Sequence, residues 1–266
     1  MAFDPFSASA GKRAVERAWL AYTPVWGALT GVIMLGGFAE TWGDVPLLAF
    51  GVVLALGCVA APLVRSREPE LLRAWAAMTL AVVVLAFGLN LLQTPYFFDV
   101  LHMRYGFHAT WRIDRNPVFL YLVTIPYFAT YSVLACIAVR AARRFVPAAG
   151  RPIAIALVPF ALAFLETLLN ANPLMTRLFC YDDLPLMLWF GTLSYGVSFV
   201  LALPMWLELA EPGGRLPSIA RVLLVALGVV VADALVLAVV RESVAPHVTT
   251  VVDGASGGVG GCLEPR

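Results

Sequence analysis

The chain has 266 residues, 61% of them apolar, with only 18 Lys and Arg against 17 Asp and Glu. At a mean hydropathy of +0.85 it carries more apolar surface than a soluble core of this length can hide, which excludes a soluble enzyme. A net charge of +1 with one lysine, Lys12, provides neither a basic field for nucleic acid nor a polybasic membrane anchor. The expected partners are therefore lipids and apolar small molecules, with no nucleic acid.

In chain order, residues 1–17 lack the apolar stretch of a signal peptide, so the first span is read as an uncleaved anchor. Charge-free runs near the 20 residues needed to cross a bilayer fall at 22–38, 45–64, 74–92, 117–139, 153–169, 184–207 and 219–240, each bounded by Arg, Pro or Gly. The predicted fold is all-α, a polytopic membrane bundle of about seven transmembrane helices. The fourth span has the clearest predicted start: Asn116 as cap and Pro117 in the first helical position. With the N-terminus inside, twelve of the 18 basic residues fall on the inner side, among them Lys12, Arg65, Arg140 and Arg215. Six fall outside, among them Arg104, Arg112, Arg115, Arg241 and Arg266. The expected organisation is a cytoplasmic segment over 1–18, a single transmembrane domain over 19–246 and a flexible, Gly-rich tail over 247–266.

Rare residues exclude further chemistries. The three histidines, His102, His108 and His247, lie outside the apolar runs. They are too few for bis-histidine haem in the bilayer or a multi-histidine diiron cluster. Lys12 precedes the first span, so no buried amine can form a retinal Schiff base. Cys58, Cys136, Cys180 and Cys262 show no CxxC spacing, and are expected as small core thiols rather than a metal cage or disulfide framework. No metal and no cofactor is expected.

Two formal charges stand within the spans away from their ends, Glu166 and Asp233. An intramembrane carboxyl costs about 2.5–3.5 kcal/mol by insertion scales, which makes each a functional candidate. The alternative role is a packing hydrogen bond, and it weighs more for Asp233. A carboxylic acid in apolar surroundings is held neutral near pH 7, and a neutral acid is a proton donor. At about 1.5 Å of rise per residue, Glu166 falls in the outer half of the fifth span, level with Asn90. Tyr121, Thr124, Phe128 and Tyr131 run down one face of the fourth. Two polar connections overlie this leaflet, 93–116 and 170–183. The first holds Tyr96, Phe97, Phe98, Tyr105, Phe107 and Trp111 beside Asp99, His102, His108, Arg112, Asp114 and Arg115. An interfacial aromatic belt accounts for rings at this level. A loop so long and so charged is read as a cap over an apolar cavity.

These motifs resemble the cycloeucalenol cycloisomerases, membrane isomerases that open the cyclopropane ring of 9β,19-cyclosterols. The resemblance is carried by Tyr22, Thr23, Pro24 and Trp26. It continues through Tyr96-Phe97-Phe98, Val100-Leu101, Tyr105, Phe107, Trp111 and Asn116, then Leu165-Glu166-Thr167 and Ala171-Asn172. Asp183, Gly191, Tyr195 and Pro204-Met205 follow, and Ala226-Leu227-Gly228, Arg241, Pro246 and Cys262-Leu263 close it. Asp233, His102 and His108 depart from the family pattern, Arg112 replaces another base and Asp114 an amide. The Arg-over-Lys bias and alanine richness look bacterial. The membrane is thus a bacterial cell membrane, or the endoplasmic reticulum for a eukaryotic source.

The resemblance implies a sterol or triterpenoid substrate converted to a Δ8 sterol without redox change or cofactor. A proton is placed on carbon 19, positive charge develops at carbon 9, and a base takes the proton from carbon 8. Glu166 is the expected acid, and Asp183 the base or the group that reprotonates Glu166. Tyr195, Asn90 and Asn172 are expected to relay protons. The rings of Tyr96, Phe97, Tyr105 and Trp111 offer π faces to the cation, and Asn116 and Tyr121 complete the expected substrate-binding set. The alternatives are a non-catalytic sterol- or lipid-binding membrane protein, and a sterol isomerase that shifts a double bond.

Overall fold

The computed structural model describes residues 4–64, 67–146, 150–211 and 218–252. Arg65, Arg215 and Arg266 of the charge count, Cys262 and Leu263 of the resemblance, and residues 253–266 of the predicted tail lie outside the described residues. Seven helices are long and apolar enough to cross a membrane: α1 (Ala10–Leu35), α2 (Asp44–Leu63), α3 (Pro69–Leu92), α4 (Val118–Phe145), α5 (Gly150–Asn170), α6 (Leu184–Glu208) and α7 (Ile219–Ser243). The predicted all-α class and span count are those observed. The protein is a multi-pass integral membrane protein.

Helix α4 is the hub. It packs on α1, α2, α3, α5 and α6, while α7 closes the bundle against α3 and α6. Helices α1, α5 and α7 turn rows of Val, Leu and Ile outward, including Val25, Leu29, Leu157, Leu224 and Leu235; in a bilayer these rows meet acyl chains. Polar contacts fix the rotation of α1 on α4: Thr130 Oγ1 lies 2.9 Å from Thr23 Oγ1 and accepts from Trp26 Nε1 at 3.0 Å. Small-residue and hydroxyl contacts do this work between membrane helices, because lipid removes the hydrophobic drive for helix pairing.

Helix α1 begins well before the predicted span, with Ser9 as its side-chain cap. The reason is a buried ionic cluster at the N-terminal end of α1. Lys12 Nζ meets Glu211 at 2.9 Å and donates to the Trp206 carbonyl at 2.7 Å. Arg140 of α4 holds Glu16 through both guanidinium nitrogens, at 2.8 and 3.0 Å, and reaches Glu211 at 2.7 Å. Lys12 and Glu16 are each 1% exposed. Charges that break an apolar run in the sequence are thus carried inside the helix, because each finds an opposite charge on another element.

At the other end the connection between α3 and α4 folds into a compact cap. It contains a short helix (Thr94–Val100), β1 (Met103–Tyr105) paired antiparallel with β4 (Phe179–Tyr181), and the two-residue pair β2 (Arg112–Ile113) with β3 (Asn116–Pro117). Gly106 is required where the two polar connections meet: a Cβ there would stand 1.7 Å from the Arg177 carbonyl oxygen. Three charges lock the cap to α7, since buried Asp99 pairs with Arg115 at 2.7 Å and with Arg241 at 3.0 Å. Asp44, at the start of α2, accepts from the Thr110 and Trp111 backbone N–H groups at 2.7 Å each. The chain after α7 joins this lock through Val252 N–H, which donates to the Asp99 carbonyl, and through Thr250, whose carbonyl meets His102.

Two local expectations are corrected. Asn116 does not cap α4: it lies in β3, and Pro117 stands at the cap position without a side-chain bond. The Asn116 amide is drawn instead to Asn90 at 2.7 Å, a bond to another helix that local sequence does not reveal. Cys58 and Cys136 are the buried free thiols expected, but Cys180 is disulfide-bonded.

Candidate active site

A cavity of about 510 Å³ lies under the cap, walled by the cap-side parts of α1, α4 and α5, the end of α3 and the start of α6. That volume falls within the range of small-molecule sites. The wall is mostly apolar and aromatic, with Trp26, Phe97, Tyr105, Phe128, Phe179 and Tyr181 among its rings.

Glu166 is the one carboxyl among the described lining residues. Its neighbour Thr167 bonds Thr192 of α6 at 2.8 Å, and one residue is about 100° of helix rotation. Fastening Thr167 to α6 therefore turns Glu166 toward α4 and the cavity. There Tyr131 donates to Glu166 Oε2 at 2.9 Å, and Asn170, one turn on, donates to Oε1. Beside it the hydroxyls of Tyr127 and Tyr195 bond each other. Their rings continue into a wall in which Tyr127 and Tyr131 stand 4.4 Å apart and Tyr195 meets Phe97 edge-on at 5.6 Å.

The start of α6 brings two of these groups in. Asp183 accepts from the Leu186 N–H at 2.9 Å, and a π-helical turn over Met187–Gly191 follows. Such single turns often occur at functional sites; this one carries Met187 and Tyr195 to the cavity. The Met187 thioether fills the space beside Gly191, where a Cβ would meet its sulfur at 2.4 Å.

Burial drives the Tyr105 and Tyr181 phenols of the cap well above their ordinary pKa; neighbouring Tyr121 adds to the effect on Tyr105, and Tyr105 and Glu166 add to that on Tyr181. Both remain neutral at physiological pH, so they present ring faces and hydroxyl dipoles rather than bases.

Of the residues expected at the site, Glu166, Tyr195, Asn90, Phe97, Tyr105 and Asn172 line the cavity. Tyr96, Asn116 and Tyr121 are buried behind it. Tyr96 bonds Ser194 at 3.0 Å, Asn116 orients Asn90, and Tyr121 donates to the Ile113 carbonyl at 3.1 Å. Trp111 is half exposed on the cap and Asp183 is an exposed helix cap. Asp233 is fully buried on α7 away from the cavity lining. Asn90, Asn172 and Tyr195 bond three different sets of partners. The rings Phe98, Tyr105 and Phe107 are core, meeting Phe119 and Phe179 at near-right angles or tilted, rather than an interfacial belt.

Sequence reasoning missed Trp26, Thr30, Gln93, Tyr127 and Tyr181 as lining residues. Tyr127 carried a usable signal, its i+4 relation to Tyr131. Thr30 and Gln93 did not, because a single polar residue near a span end reads as interfacial.

The chain is 27% identical to cycloeucalenol cycloisomerase of Arabidopsis thaliana over 252 residues, covering 89% of this chain and 88% of the relative. This chain is a homologue of that protein. No family model and no solved structure matches it. The similarity to cycloeucalenol cycloisomerase covers nearly all of both chains, so it takes in the bundle, the cap and the cavity wall that holds Glu166.

Proposed function

We propose that the protein is a membrane sterol isomerase that opens the 9β,19-cyclopropane ring of a cycloeucalenol-like sterol to give a Δ8 sterol. The observation that carries this reading is Glu166. It is a carboxyl with two donors on it, set in the wall of a sterol-sized apolar cavity, in a homologue of cycloeucalenol cycloisomerase.

In the proposed step the neutral Glu166 gives its proton to carbon 19. The electron pair of the C9–C19 bond forms the new C–H bond, and positive charge develops at carbon 9. The Tyr127, Tyr195 and Phe97 rings face this charge, worth up to about 2 kcal/mol where water is excluded. Loss of the carbon 8 proton then supplies the electron pair of the 8,9 double bond. With one carboxyl in the described lining, the Glu166 carboxylate is the proposed base, and taking that proton restores the acid. Tyr131 and Asn170 hold the carboxylate between the two transfers. Asp183 enters the scheme as the cap that orients the start of α6. Protons and electrons balance within the substrate and Glu166, so the scheme is an isomerisation.

The test is expression in membranes fed with cycloeucalenol in heavy water, with products identified by mass spectrometry. Deuterium in the new angular methyl group is the expected result, as the restored Glu166 carboxyl exchanges its proton with solvent between turnovers. Proton placement contributes about 10²- to 10⁴-fold to such steps, so Glu166→Gln is expected to lower turnover by at least 10²-fold while sterol binding persists. Wild-type-like turnover in that variant would remove Glu166 from the acid role. Binding of the sterol with no isomer formed by wild type would favour the non-catalytic alternative.

A further inference from the structure

The cavity has a second polar pole that the proposed acid chemistry does not use. Gln93, at the end of α3, is 3% exposed, lines the cavity, and its Nε2 has no hydrogen-bond partner among the described residues. Thr30 of α1 lines the same cavity, and its buried Oγ1 is likewise without a partner. A buried amide N–H₂ or hydroxyl left without a bond carries its full desolvation penalty. Two such groups on one cavity wall are therefore matched to a polar group that arrives with the ligand.

The neighbouring polar residues do not satisfy them. Asn90 donates to the Ala86 carbonyl at 2.7 Å and to Thr124 at 2.6 Å, and accepts from Asn116 at 2.7 Å. Thr124 in turn donates to the Leu120 carbonyl at 2.6 Å. These bonds occupy Asn90 and Thr124 and none of them reaches Gln93 or Thr30, which keep capacity toward the cavity.

Their placement is informative about orientation. Helices α1 and α3 pack on each other and on α4, while α5 and α6 pack on each other and on α4. The pole of Gln93 and Thr30 thus belongs to the α1–α3 wall, and Glu166 with Tyr127 and Tyr195 to the wall shared by α4, α5 and α6. A rigid, mostly apolar molecule with one hydroxyl, lodged between these walls, satisfies the first pole and presents its hydrocarbon framework to the second.

We infer that Gln93 and Thr30 form an alcohol-binding subsite that grips the hydroxyl of a polycyclic alcohol and sets which of its carbons faces Glu166. Gln93 Nε2 donates to the alcohol oxygen; Thr30 accepts its proton or gives a second bond. This inference rests on the sterol reading above and goes beyond it by naming the recognition group. A site built to bond a hydroxyl rejects the analogue that lacks it more strongly than an apolar pocket rejects an added group.

The test uses the full chain purified into lipid nanodiscs, with binding of cycloeucalenol and of its 3-deoxy analogue measured at equilibrium. Wild type is expected to prefer the alcohol by about tenfold or more, the size of one or two neutral hydrogen bonds. The pair Gln93→Leu and Thr30→Val is expected to erase that preference while the deoxy compound binds as before. Gln93→Met, which keeps the length and loses the donor, guards against a folding effect, and is expected to lose the preference with an unchanged melting temperature. Equal affinity of wild type for the two compounds, or a preference that survives both substitutions, would overturn the subsite. A wild type that binds neither compound also overturns it. The acid reading is judged separately, by turnover of Glu166→Gln, so either can fail while the other stands.

Discussion

Tyr131 of α4 and Glu166 of α5 meet at 2.9 Å, hydroxyl to carboxyl oxygen. Because Asn170 takes the other carboxyl oxygen, the carboxyl plane is set by donors from α4 and from its own helix. A group held this way keeps its position whether or not it carries a proton, as a donor that must also accept requires.

Removing one of the two donors separates positioning from acidity. Tyr131→Phe keeps the ring that packs on Tyr127 and Phe199 and loses only the bond to Glu166. We expect turnover to fall by about tenfold, the worth of one hydrogen bond in a transition state, with sterol affinity unchanged. A variant indistinguishable from wild type would show that the bond has no part in the reaction.

Asp233 offers the opposite case. It is fully buried, both carboxyl oxygens lack partners among the described residues, and it stands outside the cavity lining. Asp233→Asn is expected to leave turnover within about twofold of wild type, with stability equal or higher, since a group without partners contributes little by being there. Turnover as low as in Glu166→Gln would reverse the assignment of roles between the two carboxyls.

The ionic cluster of Lys12, Glu16, Arg140 and Glu211 is expected to dominate stability rather than activity. Arg140→Ala leaves Glu16, 1% exposed, without the guanidinium that holds both its oxygens. Breaking a buried pair from one side costs about 3–5 kcal/mol, measurable as a drop in the unfolding midpoint in detergent. A loss below 1 kcal/mol would mean that water reaches Glu16 in the folded protein.

Acid should attack the same cluster through Glu211. Burial works against its ionisation, but Lys12, Arg140 and Ser7 outweigh burial and hold its pKa below the ordinary carboxylate value of 4.5. A lowered folded-state pKa stabilises the protein fully above the unfolded value and loses that contribution as pH falls from 4.5 through the folded value. Melting temperatures taken from pH 6 down to pH 3 should therefore drop below pH 4.5, and Glu211→Gln should flatten part of that drop. A variant with the same acid limb as wild type would exclude Glu211 as its source.

How much could be read in advance differs by element. The seven spans were legible because crossing a bilayer imposes length and apolarity locally, residue by residue. Glu166 stood out for the same reason, a charge where lipid tolerates none. Asp233 stood out by the same rule, though the packing role weighed more for it and the family pattern leaves it out; in the structure, burial without partners away from the cavity separates the two. The role of Asp183 as a cap, and of Asn116 as a brace for Asn90, depends on partners in other segments.

The linear chain, then, determined the class of solvent, the number of crossings and the short list of polar groups within them, because each is a property of a segment alone. Which groups share a cavity was decided only in three dimensions. Tyr131 bonds Glu166, Lys12 pairs with Glu211, and Gln93 and Thr30 line one cavity, each from separate elements of the chain. Helix rotation and packing set those pairs, and a rotation of one residue, about 100°, would turn any of these side chains to another face.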